Sequence, residues 1–470
     1  MAEIPSADPP HPSAAADSEA LPVLGLQKQL PDRPAKRSTI FSWALWDWGL
    51  QPFNTIIVTF IFTALYLTTD AFLPADLQAL ADDDPIKEAA LADLASGLGL
   101  GTTIAGLLIL AVAPVLGQQA DAQGRQKLWL GIGTAGTIAC MLALWFAEPA
   151  PTFFWFAVIV ISAGTVLSEI GTVNSNALLV GIASPQNVGR ISGLGWGFGY
   201  LGGVVALVLV LVFYAGGWFG LPDEGGLPFR LIAVGCAIWA IVFAIPVFLK
   251  VPEPAPLGKP ERRVGFLRSY ALLVRDVVGL YRSRATRNTF WFLVSSSVFR
   301  DGLSGVFAFG AIIASQVFDF DFIAIAVFGL AANLIAGLST IVAGRWDDRF
   351  GPKAIIVFSL AGMVVAGLVV FFFAGAGPIV FWIFGLALCA FVGPAQSAGR
   401  SFLARVTPAG REGEIFGLYA TTGRAASWIS SLLWTVFIAA TGATVFGVLG
   451  IVLVLLLGLL IVLPVKAQKP

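Results

Sequence analysis

Residues 117–127 of the chain read GQQADAQGRQK, and residues 344–353 read GRWDDRFGPK. Each stretch opens on Gly, has Asp four residues later and a second Gly three residues after the Asp, and closes on a basic residue. The opening glycines, Gly117 and Gly344, are 227 residues apart. A motif that recurs once at a long interval indicates that two parts of a chain are related by duplication.

A second pair of stretches supports this duplication. Residues 189–199 read GRISGLGWGFG and residues 413–423 read GEIFGLYATTG, at an offset of 224 residues. The positions that agree are Gly189/Gly413, Ile191/Ile415, Gly193/Gly417, Leu194/Leu418 and Gly199/Gly423. Two matches at nearly one offset predict two structurally similar halves.

The composition indicates the solvent that surrounds these halves. The 470 residues are 57% hydrophobic and 12% charged, with a mean hydropathy of +0.86, whereas soluble domains are about 25% charged. Lys+Arg and Asp+Glu number 28 each, so the net charge does not indicate a nucleic-acid or acidic partner, and the distribution of charge along the chain is the informative feature. No nucleic-acid partner is expected. The chain is predicted to be an all-α membrane protein whose surroundings are membrane lipid.

Apolar stretches long enough to cross a membrane recur about twelve times, since a hydrocarbon core roughly 30 Å thick needs about 20 apolar residues per helix. They lie near residues 41–67, 97–116, 128–146, 152–176, 191–214, 228–249, 289–316, 322–343, 354–374, 377–397, 413–437 and 442–464. The prediction is therefore an N-terminal half (41–249) and a C-terminal half (289–464), joined by a basic loop (250–288). Residues 1–40 are predicted to be a disordered tail and residues 465–470 a short second tail.

Basic residues set the predicted orientation, because they concentrate on the cytoplasmic side of a membrane. The odd-numbered connections between spans carry only Lys87 and Arg230, and the first of them is strongly acidic. Except for Arg300 and Arg424, which lie inside spans, the tails and even-numbered connections carry the remainder, including nine basic residues from Lys250 to Arg287. Among the residues assigned to these connections are Arg125, Lys127, Arg190, Arg345, Arg349, Lys353, Arg400, Arg405 and Arg411. Both termini are therefore predicted to be cytoplasmic.

The basic loop contains the segment FLRSYALLVRDVVGLYR, which is predicted to form an amphipathic helix. One face would carry Phe266, Tyr270, Leu273, Val277 and Tyr281, and the opposite face Arg268, Arg275 and Arg282. Such a helix could lie in the cytoplasmic headgroup layer. A solvated helix that links the two halves is an equally good interpretation.

The two Asp-x-x-Gly loops join spans 2 and 3 of their own halves, and they resemble the signature loop of the major facilitator superfamily. The resemblance implies a twelve-helix fold in two six-helix pseudo-repeats, working by alternating access. The loop residues would then take part in gating. They are Gly117, Asp121, Gly124 and Arg125 in the first loop, and Gly344, Asp348, Arg349 and Gly351 in the second. Asp121 and Asp348, beside helix ends and basic residues, are expected to stabilise one transport state.

Three further stretches resemble the vacuolar-effluxer-like branch of that superfamily, whose eukaryotic members are vacuolar amino-acid exporters linked to autophagy. They are RISGLGWGFGYLGG from Arg190, FRDGLSGVFAFG from Phe299 and QSAGRSFLARVTPAGREGEIFGLYATTGRAAS from Gln396. The first span departs from the branch: it reads LWDWG around Asp47 where a Tyr-Asp-Trp-Ala-Asn opening is expected. The resemblance implies amino acids or similar small polar solutes as substrates.

Charged residues inside the apolar spans are the candidate functional residues, because such charges are expensive unless they face a cavity and find partners. Arg300 lies about a dozen residues beyond Arg287, which puts it roughly 18 Å from the cytoplasmic edge. Arg300 and Arg424 could attract an anionic group on a substrate. They could equally be structural partners of Asp301 and Glu169. Because Arg300 and Asp301 differ by about 100° around a helix, each is expected to have its own partner across the cavity.

Carboxylates and amides complete the predicted pathway between the halves. Asp301 and Asp47 are the candidates for taking up a proton or neutralising a substrate amine, since burial disfavours a charged carboxylate. Uncharged polar groups are expected at Asn174, Asn176, Asn333 and Gln396.

Several other functions lack support in the sequence. The only histidine is His11, and Cys140, Cys236 and Cys389 have no metal-ligand or disulfide spacing, so no cofactor or metal is expected. An intramembrane enzyme is disfavoured because HExxH and GxSxG motifs are missing, and no Walker loop indicates direct use of ATP. A carrier of lipid or hydrophobic cargo, and a sensor that no longer transports, remain alternatives. The compact loops favour a bacterial inner membrane, and a monomer is the default expectation.

Overall fold

The structure is a computed structural model, and it describes residues 31, 33–81, 84–222, 224–253, 266–283, 286–320, 322–407 and 411–466. Most of the predicted N-terminal tail, most of the second tail and part of the basic loop lie outside these residues. The assigned elements are all helical, which confirms the all-α fold class for the described part of the chain.

Among the described residues, six long α-helices lie in the N-terminal half. They are α1 (Arg37–Pro52), α2 (Pro85–Gln123), α3 (Gln126–Ala143), α4 (Pro151–Ile182), α5 (Val188–Ala215) and α6 (Leu227–Lys250). The first predicted span does not end with α1, because it continues as two π-helical stretches, Phe53–Phe60 and Phe62–Leu67. Pro52 stands where the α-helix stops, as expected for a residue that lacks the N–H and displaces the carbonyl of the preceding turn.

The C-terminal half repeats this arrangement. It contains α7 (Arg287–Phe318), α8 (Phe322–Phe350), α9 (Pro352–Phe372), α10 (Leu386–Val406), α11 (Glu412–Ala426) and α12 (Gly447–Val462). A short π-helical stretch, Phe381–Gly385, leads into α10, and a further helix, Ile429–Thr441, continues the path of α11.

Ten of the described helices are long and apolar enough to cross a membrane unbroken. The two predicted spans that do not qualify, 41–67 and 413–437, are interrupted at Pro52 and at residues 427–428. Large apolar side chains also face outward along the helices: Leu107 is 61% and Ile159 65% exposed. Apolar surface on all sides is what a helix in lipid requires, so the chain is a multi-pass membrane protein. The total of twelve crossings stays a prediction.

Both ends of the described chain come to one face of the bundle. The Ala35 N–H donates to the Ile182 carbonyl (3.0 Å), so the start of α1 meets the end of α4. The Lys353 ammonium donates to the Leu463 carbonyl (2.6 Å), so the start of α9 meets the end of α12. We call the face where α1 begins and α12 ends the terminal face, and the opposite one the far face.

The two duplicated motifs pack against each other crosswise. A Cβ added to Gly344 in α8 would lie 2.8 Å from the Gly189 carbonyl oxygen in α5, and one added to Gly117 in α2 would collide with the Gly413 carbonyl in α11. Gly193 continues the first contact, since a Cβ there would lie only 2.7 Å from the Thr340 carbonyl oxygen. Glycines therefore bring α5 against α8 and α2 against α11, the close packing expected of small residues in membrane helices.

The basic loop contains the predicted helix, Phe266–Arg282, which packs against α2 and α7. Leu280 is buried there, whereas Arg275 and Tyr281 are exposed. The side chains of Phe266, Arg268, Tyr270 and Leu273 lie outside the described part of the structure. The choice between a headgroup-layer helix and a solvated linker stays open.

Candidate functional site

The contact between α5 and α8 at the terminal face contains one of the predicted gating residues. The Asp348 carboxylate accepts hydrogen bonds from the backbone N–H groups of Gly189 (2.7 Å) and Arg190 (3.0 Å). These are first-turn N–H groups of α5, which have no acceptor within their own helix. Asp348 thus caps a helix of the N-terminal half from a helix of the C-terminal half.

A neighbouring carboxylate that was not among the predicted residues completes this contact. Asp347 is 1% exposed, accepts a short hydrogen bond from the Ser401 hydroxyl, and lies 3.1 Å from the Arg405 guanidinium. The same guanidinium is 3.6 Å from Asp348. The sequence feature that could have indicated Asp347 is the pair of adjacent aspartates in GRWDDRFG.

The other residues of the two loops have different roles. Gly124 and Gly351 adopt φ of 59° and 85°, values that glycine reaches without strain, and this explains why both loops carry a glycine there. Arg125 and Arg349 are exposed at the terminal face. The side chain of Asp121 is outside the described part of the structure.

Arg400 corrects one assignment made from the sequence. Together with Arg405 it was placed in the connection before span 11, but α10 continues to Val406 and buries both. Arg400 is 3% exposed, because its guanidinium is surrounded by groups of the N-terminal half. A basic residue buried in the last turns of a membrane helix and one in the cytoplasmic loop that follows have nearly the same position in the sequence. The positive-inside pattern therefore could not distinguish a buried Arg400 from a loop Arg400.

The groups around Arg400 come from three helices. Its Nη1 lies 3.5 Å from the Asp47 carboxylate (α1) and 3.0 Å from the Asn176 amide oxygen (α4). Its Nε and Nη2 donate to the hydroxyl (3.0 Å) and carbonyl (2.5 Å) of Ser192 in α5. Two indole rings flank the guanidinium, with centroids 4.9 Å away at Trp43 and 5.6 Å away at Trp196. Asp47, a predicted pathway residue, therefore has a cationic partner from the opposite half.

Two more predicted residues join the halves deeper in the bundle. Arg424 in α11 lies 3.4 Å from Glu169 in α4, as one of the two interpretations had expected. The Gln396 side-chain oxygen in α10 accepts a hydrogen bond from the Tyr200 hydroxyl in α5 (2.7 Å).

Arg300 is held differently from these arginines. Its Nη1 donates to the Tyr419 carbonyl (2.7 Å), and its guanidinium lies 4.0 Å from the centroid of the Tyr419 ring. Gly423 leaves room for it, since a Cβ there would lie 2.9 Å from the same nitrogen. Within the described residues, no carboxylate oxygen lies within 4.0 Å of this half-buried guanidinium.

Asp301 has its partner within its own half, which differs from the expected contact across the cavity. Its carboxylate is buried and accepts hydrogen bonds from the Ser430 backbone N–H (2.6 Å) and hydroxyl (2.6 Å). Ser430 lies in the first turn of Ile429–Thr441, so Asp301 caps the helix that restarts there. Arg300 likewise contacts only the α11 region, at Tyr419.

The amides are less involved than expected. Asn333 donates to the Gly329 carbonyl of its own helix (2.9 Å). Asn174 does the same with Ile170 (2.8 Å), and its side-chain oxygen is buried without a hydrogen-bond partner. Asn176, like Gln396, takes part in a contact between the halves.

A cavity of about 340 Å³ lies among α2, α4 and the two π-helical stretches that follow α1, with Arg424 in its lining. It is on the side of the far face, since Thr68 at the end of the first span contributes to it. The uncharged polar side chains that line it are Asn54, Thr63, Thr68, Thr102, Ser162 and Thr165. The bundle therefore offers a polar cavity toward the far face, whereas the Asp348 and Arg400 contacts join the halves toward the terminal face.

Comparison with known proteins agrees with this architecture. Residues 185–470 match the family described as vacuole effluxer Atg22 like. An uncharacterized MFS-type transporter of Bacillus subtilis, YxiO, is 23% identical over 424 residues, covering 89% of this chain and 93% of that protein. Autophagy-related protein 22 of Cryptococcus neoformans is 24% identical over 256 residues, 51% of this chain and 44% of that protein.

Solved structures show the same fold at low sequence identity. The proton:xylose symporter XylE aligns with a TM-score of 0.68 at 14% identity, over 90% of this chain and 94% of that one. The transporter FucP in its outward conformation aligns with a TM-score of 0.63 at 14% identity, over 92% and 100% of the two chains. The chain therefore belongs to the vacuole effluxer Atg22-like family, and it is a membrane transporter with the major facilitator fold.

Proposed function

We propose that the protein is a secondary active transporter that moves a small polar solute with an anionic group by alternating access, and that Arg300 receives the anion. The observation that carries this proposal is the contrast between Arg300 and the other arginines inside the helix bundle. Arg400, Arg405 and Arg424 lie 3.5, 3.1 and 3.4 Å from carboxylates. Arg300 has a backbone carbonyl and an aromatic ring instead.

A guanidinium in that setting is suited to bind a carboxylate or a phosphate. The carbonyl and the ring hold the side chain in place, which lowers the entropy lost when a ligand binds. Its Nε and Nη2 make no hydrogen bond within the described part of the structure, and a guanidinium can bind a planar anion through two parallel N–H groups. Amino acids meet this description, and the effluxer family supports export as the direction.

Proton coupling belongs to the same proposal. A structural relative is a proton:xylose symporter, and carboxylates are the titratable groups available inside this bundle. Asp47 suits this role better than Asp301, because it faces the opposite half through Arg400. Asp301 is instead occupied by the two donors of Ser430.

The setting that we propose is a bacterial inner membrane, with the terminal face cytoplasmic and the protein a monomer. The concentration of basic residues in the tails and connections of that face supports the orientation.

The proposal is tested with purified protein in a thermal-shift screen of amino acids, dipeptides, sugars and organic anions at two pH values, because a ligand of the folded state raises the unfolding temperature. We expect an anionic or zwitterionic hit that Arg300→Gln abolishes and Arg300→Lys weakens, with uptake into proteoliposomes lost in parallel. Arg349→Gln, at an exposed arginine, is the matched control. If both Arg300 variants bind and transport the hit like the wild type, Arg300 is structural and the proposal fails.

One observation favours a second candidate, a carrier of hydrophobic cargo. An apolar groove of about 410 Å³ lies between α1, α5 and α6, with Pro52, Leu209 and Phe213 in its lining. A screen without polar hits, on protein that is otherwise well folded, would favour this groove and a lipid-like cargo. A sensor that binds solute without moving it would give the thermal shift but no uptake.

A further inference from the structure

The groups around Arg400 form a complete cation site that belongs to one half of the protein. We call it the Arg400 socket, and it consists of Asp47, Asn176, Ser192, Trp43 and Trp196. All five lie on α1, α4 and α5, whereas the cation is delivered by α10 of the opposite half. It offers one carboxylate, an amide oxygen, a hydroxyl and a carbonyl to a single positive group.

Several features indicate that the socket is preformed. The Trp43 indole N–H donates to the Ser175 carbonyl (2.8 Å), which fixes its ring beside the guanidinium. Gly195 leaves the necessary space, because a Cβ there would lie 2.7 Å from Arg400 Nη2 and 2.8 Å from the Asp47 carboxylate. The Trp196 indole N–H is buried without a hydrogen-bond partner. The socket therefore depends on residues of its own half for its shape.

Alternating access would empty this socket once in each cycle, and to that extent the inference rests on the proposed function. When the halves separate at the terminal face, α10 withdraws Arg400 while Asp47 remains with α1. A charged carboxylate left inside the bundle without a partner is strongly unfavourable, so either a proton or another positive group has to compensate Asp47 once Arg400 withdraws.

We propose that the emptied socket binds a guanidinium or primary ammonium group of a ligand, and that Arg400 is a built-in competitor for this site. The two tryptophan faces favour an organic cation, because ring quadrupoles attract weakly hydrated cations. The socket also offers four oxygen atoms, so a metal ion is the competing occupant, which the NaCl and KCl titrations below test. Arg400 is then a residue that couples ligand binding to closure of the terminal face.

The first experiment vacates the socket directly. Arg400→Ala protein is titrated with methylguanidinium, methylammonium, NaCl and KCl at constant ionic strength, and its unfolding temperature is recorded. We expect a saturable rise with methylguanidinium, a smaller one with methylammonium and none with the metal cations. Asp47→Asn in the Arg400→Ala background should weaken the apparent affinity by about tenfold or more, since a charged acceptor is lost. Arg282→Ala, which removes an exposed arginine of the basic-loop helix, is the matched control and should show no such rise.

The second experiment keeps Arg400 and stays informative if Arg400→Ala does not fold. Spin labels are placed at the exposed Ser38 and Ala354, on opposite halves of the terminal face, after replacement of the three native cysteines. Methylguanidinium should increase the longer-distance population in otherwise wild-type protein and have no effect on Asp47→Asn. Equal responses in the two proteins, or no response in either experiment, would overturn the proposal. A response to lowered pH that is accompanied by none to methylguanidinium would overturn it too, because the proton alone would then compensate Asp47.

These outcomes are separable from those of the proposed function. The anion proposal is tested by the binding of an anionic or zwitterionic solute and by the loss of that binding in Arg300 variants. The socket proposal is tested by the response to a cationic probe and by the loss of that response in Asp47→Asn. Either can fail while the other holds.

Discussion

Replacing Asp348 should open the terminal face by a measurable amount. In the described conformation its carboxylate accepts two backbone hydrogen bonds at the N-terminus of α5, 2.7 and 3.0 Å long, and lies 3.6 Å from Arg405. The two hydrogen bonds join the halves directly, and the contact with Arg405 lies beside them within the C-terminal half. Asp348→Ala therefore removes stabilisation from the conformation with a closed terminal face and from no other.

The size of the effect follows from the capping geometry. Loss of a capping side chain costs about 0.5–2 kcal/mol, and loss of a negative charge at a helix N-terminus costs about 0.3–1 kcal/mol more. The Asp348 side chain is 14% exposed, so water screens it little. A total of about 1–3 kcal/mol corresponds to roughly a 5- to 150-fold change in the equilibrium between conformations. Asp348→Asn keeps one of the two acceptor oxygens, so it should lose the charge contribution and one of the two backbone hydrogen bonds, which is less than Ala loses.

Pulsed electron–electron distance measurements between labels at Ser38 and Ala354 report this equilibrium. Asp348→Ala should increase the longer-distance population, with Asp348→Asn between it and the wild type. The reasoning is refuted if the Ala variant has the wild-type distance distribution. It is also refuted if Asn opens the protein as much as Ala, since the hydrogen bonds would then contribute nothing.

Two further predictions concern packing and stability. Gly193→Ala should push α5 away from α8 and shift the same distance distribution toward opening, because its Cβ would lie 2.7 Å from the Thr340 carbonyl oxygen; Gly181→Ala, which meets no atom within 4 Å, should leave the distribution unchanged. Asp301→Ala should lower the unfolding temperature by an amount equivalent to about 1–3 kcal/mol, since it leaves the buried N–H and hydroxyl of Ser430 without an acceptor. Asp301→Asn should be milder, and a wild-type unfolding temperature for the Ala variant would show that Ser430 finds another partner.

The fold could be predicted because its determinants are local in the sequence. Apolar stretches of membrane length show the helices directly, and the Gly-x-x-x-Asp-x-x-Gly loops show the duplication. The interruption at Pro52 is also a local property, since a proline stops an α-helix, but the predicted span 41–67 runs through this position. The restart of α11 at Ile429 has no such signal, which is why the partner of Asp301 was expected elsewhere.

The site could be predicted only in part, because its contacts are distant in the sequence. Asp47 and Arg400 are separated by 353 positions, and no pattern along the chain relates them. The rule that basic residues gather at the cytoplasmic edge favoured a loop for Arg400, and only the tertiary contacts show that it is buried. Arg424 and Glu169 were paired correctly in one interpretation, because few charges were available at that depth.

The crosswise packing of the duplicated motifs bears on the origin of the protein. Gly344 meets Gly189, and Gly117 meets Gly413, so the first motif of each half contacts the second motif of the other. This reciprocity is the rule of an isologous dimer interface, in which each subunit contributes both patches. A single six-helix ancestor with both motifs could pair with its own copy through the same glycines. Gene fusion would then have joined two subunits without requiring a new interface, and left each copy free to acquire its own charges.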